Sequence, residues 1–206
     1  MSLFNLNQRF RGFLPVVIDV ETGGLEPDKH ALLELCAIFI HLDNQCHYRA
    51  SETIHFNIKA HPKTEIVPKA LEINGIKPGH PFRAEVEEEQ ALKQTFTYIR
   101  KQVKKHNCSR AILVGHNAPF DLTFIQKAAQ RNGIKRIPFH SFSTIDTVSL
   151  SALLYGETVL SKALEKAKIE FDENHAHSAL YDTEKTAELF CHILNHTPFF
   201  PLNANQ

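Results

Sequence analysis

The sequence predicts an α/β protein built on a mixed sheet covered by helices, and three observations carry that expectation. Strand-like apolar runs and alternation fill the first sixty residues, apolar residues recur at helical spacing between 84 and 107, and short apolar and helical stretches then alternate to the end. The first strand is expected over about 14–21, where Val16, Val17, Ile18 and Val20 give VVIDVETGG its strand character. A second is expected at LLELCAIFI (32–40). A third is expected over about 48–58, where Ile54, Phe56 and Ile58 alternate with polar residues. The turn signals TGGLEPD and LDNQ separate the three, which makes an antiparallel meander.

Leu92, Phe96, Ile99 and Val103 form the apolar stripe of an amphipathic helix over 84–107, and AILVGH (111–116) reads as a short strand. Helices are expected at about 119–132, 146–155, 158–167 and 178–195. The stretch HPKTEIVPKALEINGIKPGHP (61–81), rich in proline and glycine, reads as irregular, and long loops of this kind often shape substrate sites. At 206 residues, without a linker, repeat or low-complexity tract, the chain is expected to form a single domain over 1–206. No apolar run approaches the roughly 20 residues that span a bilayer. The opening MSLFNLNQRF has no charged-then-apolar signal pattern, so a soluble, cytoplasmic protein without membrane partners is expected. Cys36, Cys46, Cys108 and Cys191 form no CxxC pair.

Lysine plus arginine equals aspartate plus glutamate at 23 each, so net charge gives no reason to expect a nucleic-acid binder. Their distribution differs. Acids cluster at EVEEE (85–89), RKQVKKHNCSR (100–110) is almost purely basic, and Arg9, Arg11, Arg131, Lys135 and Arg136 add further positive charge. Each basic run alone reads as a solvated helix face. A neutral total can also hide a basic face, because an acid cluster occupied by two divalent cations gains four positive charges.

Asp19 and Glu21 lie two residues apart in a strand, so they project from the same face with Val17. That pattern fits either an edge strand with a solvated acidic face or a divalent-metal site at a strand end. In GHNAPFD (115–121) a strand runs into a helix capped near Asn117, with Pro119 in its first turn and Asp121 close to its start, where an acid also compensates the helix dipole. In HAHSALYDTEKTAELF (175–190), Ser178 is a candidate N-cap, Asp182 lies one turn into the helix, and His177 precedes it. These acids are far apart in sequence but fall on a strand and at helix starts, so one sheet edge could gather them. Four carboxylates suit hard cations such as Mg²⁺ or Mn²⁺. His177, ionising near neutral pH, suits a proton acceptor.

DVET, HNAPFD and HAHSALYD together resemble the three motifs of the DEDD 3′-to-5′ exonucleases. The histidine five residues before the last aspartate matches the DEDDh subgroup. Within it, RFRGFLPVVIDVET, PKALEINGI, RAILVGHNAPFDLTFI and above all PFHSFSTIDTVSLSALLYGETVLSKA are similar to the ribonuclease T family over nearly the full length. The resemblance implies an RNase H-like fold with a mixed five-stranded sheet, a homodimer, and two-metal hydrolysis that removes nucleoside 5′-monophosphates from RNA 3′ ends. The implied targets are tRNA and other stable RNAs, with single-stranded DNA also accepted. The cofactor implied is Mg²⁺, two per site, with Mn²⁺ as the alternative. Asp19, Glu21, Asp121 and Asp182 map onto the metal ligands and His177 onto the general base. Phe120 and Phe142 map onto residues that stack on bases, and Asn117 joins the substrate-binding set. Arg9, Arg11, Lys104, Arg110 and Lys135 map onto cations that guide RNA into the partner's active site. Leu25 and Ile73 stand where family members carry phenylalanine, and Lys69 where they carry glutamate, so the resemblance leaves terminal-base preference open. A DNA-directed proofreading exonuclease and a non-catalytic RNA-binding module are the competing classes.

Overall fold

A buried central strand, β1 (Phe13–Thr22), organises the chain, which is described here from a computed structural model covering residues 6–173, 176 and 178–198. Leu14, Val16, Val17 and Ile18 of β1 are fully buried on both faces, as expected of a strand covered on both sides. β2 (Leu32–Leu42) and β3 (Tyr48–Lys59) complete the antiparallel meander, while β5 (Arg110–Gly115) runs parallel to β1 on its other side. β4 (Val86–Glu87) pairs with the end of β3, and β6 (Phe139–Asp146) pairs parallel with β5. The resulting order is β4-β3-β2-β1-β5-β6, a mixed sheet of six strands rather than the expected five.

The helices form two groups, one for each face of the sheet. α2 (Glu88–Lys105) packs with α3 (Ala118–Arg131), while α4 (Thr147–Tyr155) and α5 (Leu160–Ala167) pack with α6 (Ala179–His196), which lies across β1, β2 and β3. Among the described residues no helix is long and apolar enough to cross a membrane.

Two elements depart from the expectation. The stretch over 61–81 contains a short helix, α1 (Pro68–Asn74), begun by its proline and ended by Gly75 in the left-handed conformation. None of its residues is fully buried, so it writes no apolar stripe into the sequence. β6 carries HSFST, a half-exposed edge strand whose polar residues give little strand signal.

The parallel pairing of β1 with β5 fixes where chemistry can occur. Phe13 lies opposite Arg110 at one end, Val17 lies opposite Val114, and both strands then run on toward Asp19 and Gly115. Loops and helix starts beyond the strand C-termini converge there, the usual position for a site in such sheets. Segments on either side of that end are laced together. Gly23 N donates to Ala31 O at 2.8 Å, Ala31 N to Glu65 O at 3.0 Å, and Val67 N to Gly23 O at 2.7 Å. Gly24 has φ +155, and a Cβ there would come within 2.5 Å of the buried His30 ring, so the loop needs glycine for its close approach.

Candidate active site

Asp19, Glu21 and Asp182 each offer an oxygen within 4.8 Å of the others. The first two come from the end of β1 and the third from the first turn of α6, which packs across the sheet. Asp121 stands beside them, buried, and its Oδ1 accepts a hydrogen bond of 3.1 Å from the amide of Val20, the residue between the two acids of β1. The carboxylate of α3 thus clamps its helix to the strand. Gly115 makes this approach fit, since a Cβ there would meet Ala118 Cα at 3.1 Å and Asp121 Oδ2 at 3.2 Å.

The surroundings are costly for so many charges. Burial, then the neighbouring Asp121, Glu21 and Asp182, raise the Asp19 carboxyl well above its ordinary range. Glu21 is pushed up to about 8, first by burial and then by Asp182 and Glu34. Asp121 is also pushed up to about 8 by burial, with the Val20 amide partly opposing it. Among the described residues no lysine or arginine forms an ion pair with Asp19, Glu21 or Asp121. Clustered hard oxygens fit a divalent metal, whose charge would offset theirs.

The other expected residues divide into two groups. Leu25, Ile73 and Phe120 line a cavity of about 540 Å³ that opens beside Glu21 and is also bounded by Val67, Lys69 and Asn74. Leu25 is 81% exposed and Ile73 56%, so both present bare apolar surface to whatever enters. Phe142, 80% exposed on β6, is not part of that wall and packs edge-on against His140 at 4.5 Å. Asn117 occupies the N-cap position of α3 in the left-handed conformation, but its side chain makes no capping bond; its amide donates to Asp146 Oδ1 at 2.9 Å. Ser178 likewise takes the N-cap position of α6 without a side-chain cap bond. His177 falls outside the described residues.

All five cations expected to guide RNA lie at the far end of the sheet. Arg110 opens β5, Arg9 and Arg11 precede β1, Lys104 lies in the last turn of α2, and Lys135 follows α3 on the way to β6. Arg9 sits over Tyr48, with Nη1 3.3 Å from its hydroxyl, and Arg11 lies over Phe13. The six residue steps from Phe13 to Asp19 span about 20 Å of strand, well beyond a side chain's reach.

Two residues at the site were missed by sequence reasoning. Glu34 of β2 lies directly opposite Glu21, accepts from Arg83 Nη2 at 3.2 Å, and receives a 3.4 Å bond from the amide of Ala179 at the start of α6. Asn74 ends α1, donates to Thr22 O at 3.2 Å and hydrogen-bonds Glu21. The signal for Glu34 was available: an acid within the buried run LLELCAIFI poses the same question as the acids of VVIDVETGG.

The comparisons with known proteins agree with this arrangement. A family model described as Exonuclease, RNase_T, matches residues 16–190. The chain is 51% identical over 191 residues to Ribonuclease T of Vibrio parahaemolyticus, covering 92% of this chain and 89% of that protein. The chain belongs to the ribonuclease T family of exonucleases. Ribonuclease T of Wigglesworthia glossinidia brevipalpis is similar at 52% identity, covering 92% of this chain and 88% of its own. Membership makes this chain a metal-dependent hydrolase of the 3′-to-5′ exonuclease class. Among solved structures, the nuclease domain of 3′hExo, a DEDDh family member bound to rAMP, superposes with a TM-score of 0.69 at 19% identity, covering 87% of this chain and 90% of that one. E. coli Exonuclease I with a dT13 oligonucleotide gives 0.67 at 18% identity, covering 87% of this chain and 40% of its own. At such identities these likenesses establish the fold, which is RNase H-like.

Proposed function

We propose that this protein trims the 3′ ends of tRNA and other stable RNAs, and of single-stranded DNA, releasing nucleoside 5′-monophosphates. The observation that carries the reading is the cluster of Asp19, Glu21 and Asp182, braced by Asp121, at the mouth of a cavity large enough for a nucleotide. Asp19, Glu21 and Asp182 would hold divalent cations with Asp121 in support, and Mg²⁺, with Mn²⁺ as the alternative, suits an all-carboxylate donor set. When bound, the ions supply positive charge for the attacking and leaving oxygens of an in-line displacement. His177 takes the proton of the attacking water. Leu25, Ile73 and Phe120 enclose the terminal base, and Phe142 and Asn117 lie along the rest of the path. Apolar contact holds any base with little regard for its identity, although Leu25 and Ile73 offer less stacking area than an aromatic ring.

The distance between the basic end and the acids supports a homodimer. Arg9, Arg11, Lys104, Arg110 and Lys135 are too remote to serve the site of their own chain, so they are read as guiding RNA into a neighbour's. The whole chain, 1–206, is read as one catalytic domain working in the cytoplasm on intracellular RNA. The test is to incubate a 5′-labelled tRNA-like stem and overhang with Mg²⁺ or EDTA and resolve the products at single-nucleotide steps. A metal-dependent ladder that halts near the duplex is expected. Internal cuts would refute end-trimming, and activity confined to DNA would move the reading to a proofreading enzyme.

A further inference from the structure

The segment joining α1 to β4 holds an aromatic side chain out in water on a stiff support. Phe82 is 92% exposed, its ring lies 5.6 Å from that of His80, and its amide approaches His80 Nδ1 at 3.4 Å. Single exposed apolar residues are common and need no explanation. This one differs in how it is held. Arg83, the next residue, turns inward and donates to Leu33 O at 2.7 Å and Glu34 at 3.2 Å, while its carbonyl accepts from Asn57 Nδ2 at 2.6 Å. Gly79 N is bonded to the Glu85 carboxylate at 3.2 Å, and Pro78 and Pro81 remove two amides and fix two φ angles. The brace that ends on Glu34, beside the acids, therefore also sets the position of Phe82.

Chemistry and location agree. Lys77 and His80 form no ion pair with a carboxylate among the described residues, so the exposed face combines cationic, imidazole and aromatic groups. Beneath it is a cavity of about 350 Å³ lined by Asn74, Glu34, Lys77, His80, Phe82 and Arg83. Asn74 also lines the nucleotide cavity, so the two hollows adjoin across one side chain. A polymer whose last nucleotide fills the first cavity must leave the site somewhere, and the second lies next to it.

We propose that Lys77, His80 and Phe82 form a second nucleotide subsite, where a base of the cut strand upstream of the scissile bond stacks on Phe82 and Lys77 meets a backbone phosphate. The proposal rests on the exonuclease reading above. It adds a contact that a very short substrate cannot reach.

The test compares a single-stranded dodecauridylate, a uridine trinucleotide and a duplex with a short 3′ overhang. Binding of the labelled dodecamer is read by fluorescence anisotropy with Ca²⁺ in place of Mg²⁺, alongside KM and kcat with Mg²⁺. Phe82→Ala is expected to weaken dodecamer binding and raise its KM by about tenfold, the scale of one lost base stack. Phe82→Trp should restore both, and the loss should be confined to substrates with a long single strand. Lys77→Ala should make the log–log salt dependence of binding shallower by about 0.7, one phosphate contact on a single strand. Unchanged dodecamer affinity in Phe82→Ala, or an equal loss with the trinucleotide, would overturn the subsite. A loss seen only with the duplex would overturn its assignment to the cut strand. Phe82-dependent binding without mononucleotide release from any substrate would sustain the subsite and defeat the nuclease reading.

Discussion

The two ends of β1 carry opposite chemistry by opposite means. At its C-terminal end, carboxylates from three elements are half-buried or buried, fixed by backbone pairing and by the Val20 to Asp121 bond, and placed within ångströms of one another. At its N-terminal end, Arg9, Arg11 and Arg110 are spread over loops and strand starts, with Arg11 and Arg110 exposed. Holding ions requires fixed geometry; attracting a polyanion requires charge near a surface. The acid end should therefore respond to single-atom changes, and the basic end only to changes in charge.

The sharpest way to break this contrast is Asp19→Asn, which removes charge but keeps shape. Turnover on a single-stranded oligonucleotide should fall by at least about 10³-fold while the circular dichroism spectrum and melting profile remain those of a folded protein. Full activity with Mg²⁺ would remove Asp19 from the ion site. At the other end, the pair Arg110→Ala and Lys135→Ala should raise KM about tenfold at low salt with kcat nearly unchanged, and the gap from wild type should close as salt increases. A kcat defect that survives high salt would instead place these residues inside the chemistry.

The acid end also predicts a pH dependence. Glu21 and Asp121 hold their protons up to about 8 in the folded metal-free chain, whereas the unfolded chain releases them near the ordinary carboxylate range. The folded state then binds more protons between those limits, so stability falls as pH rises through the window and levels off above it. In EDTA, Tm should be about 5 °C lower near pH 8.5 than near pH 6, and Mg²⁺ should raise it more at the higher pH. Calorimetry showing Tm rising with pH in EDTA would contradict the crowding of these carboxylates. The smallest effect expected is from Leu25→Phe. Added ring area in the cavity wall should lower KM by about threefold and sharpen preference among terminal bases, measured on oligonucleotides that differ at the last position.

How legible each end was in the sequence follows from the same contrast. The strands and long helices were readable because their apolar residues repeat with the period of the element; Asp19, Glu21 and Asp182 stood out as acids on a strand and at a helix start, and their approach to within 4.8 Å appears only in the fold. α1 and β6 escaped because half-exposed elements write a weak pattern. Asp121 was readable as an acid near a helix start, but its bond to Val20 crosses 101 residues and leaves no local trace. Glu34 and Asn74 belong to the site through strand register and the end of a short helix, which appear once the sheet order is known. The fivefold strand count failed on a two-residue β4 hidden at the acidic start of α2.

The amide of Val20 is also a natural gauge. Its proton sits between the two acids of β1 and is given to a helix that starts elsewhere in the chain, so its NMR shift and its exchange with deuterium would register any change in the spacing of α3 from the strand. Titrating Mg²⁺ or a nonhydrolysable oligonucleotide while following that one resonance would time the assembly of the site independently of any product formed.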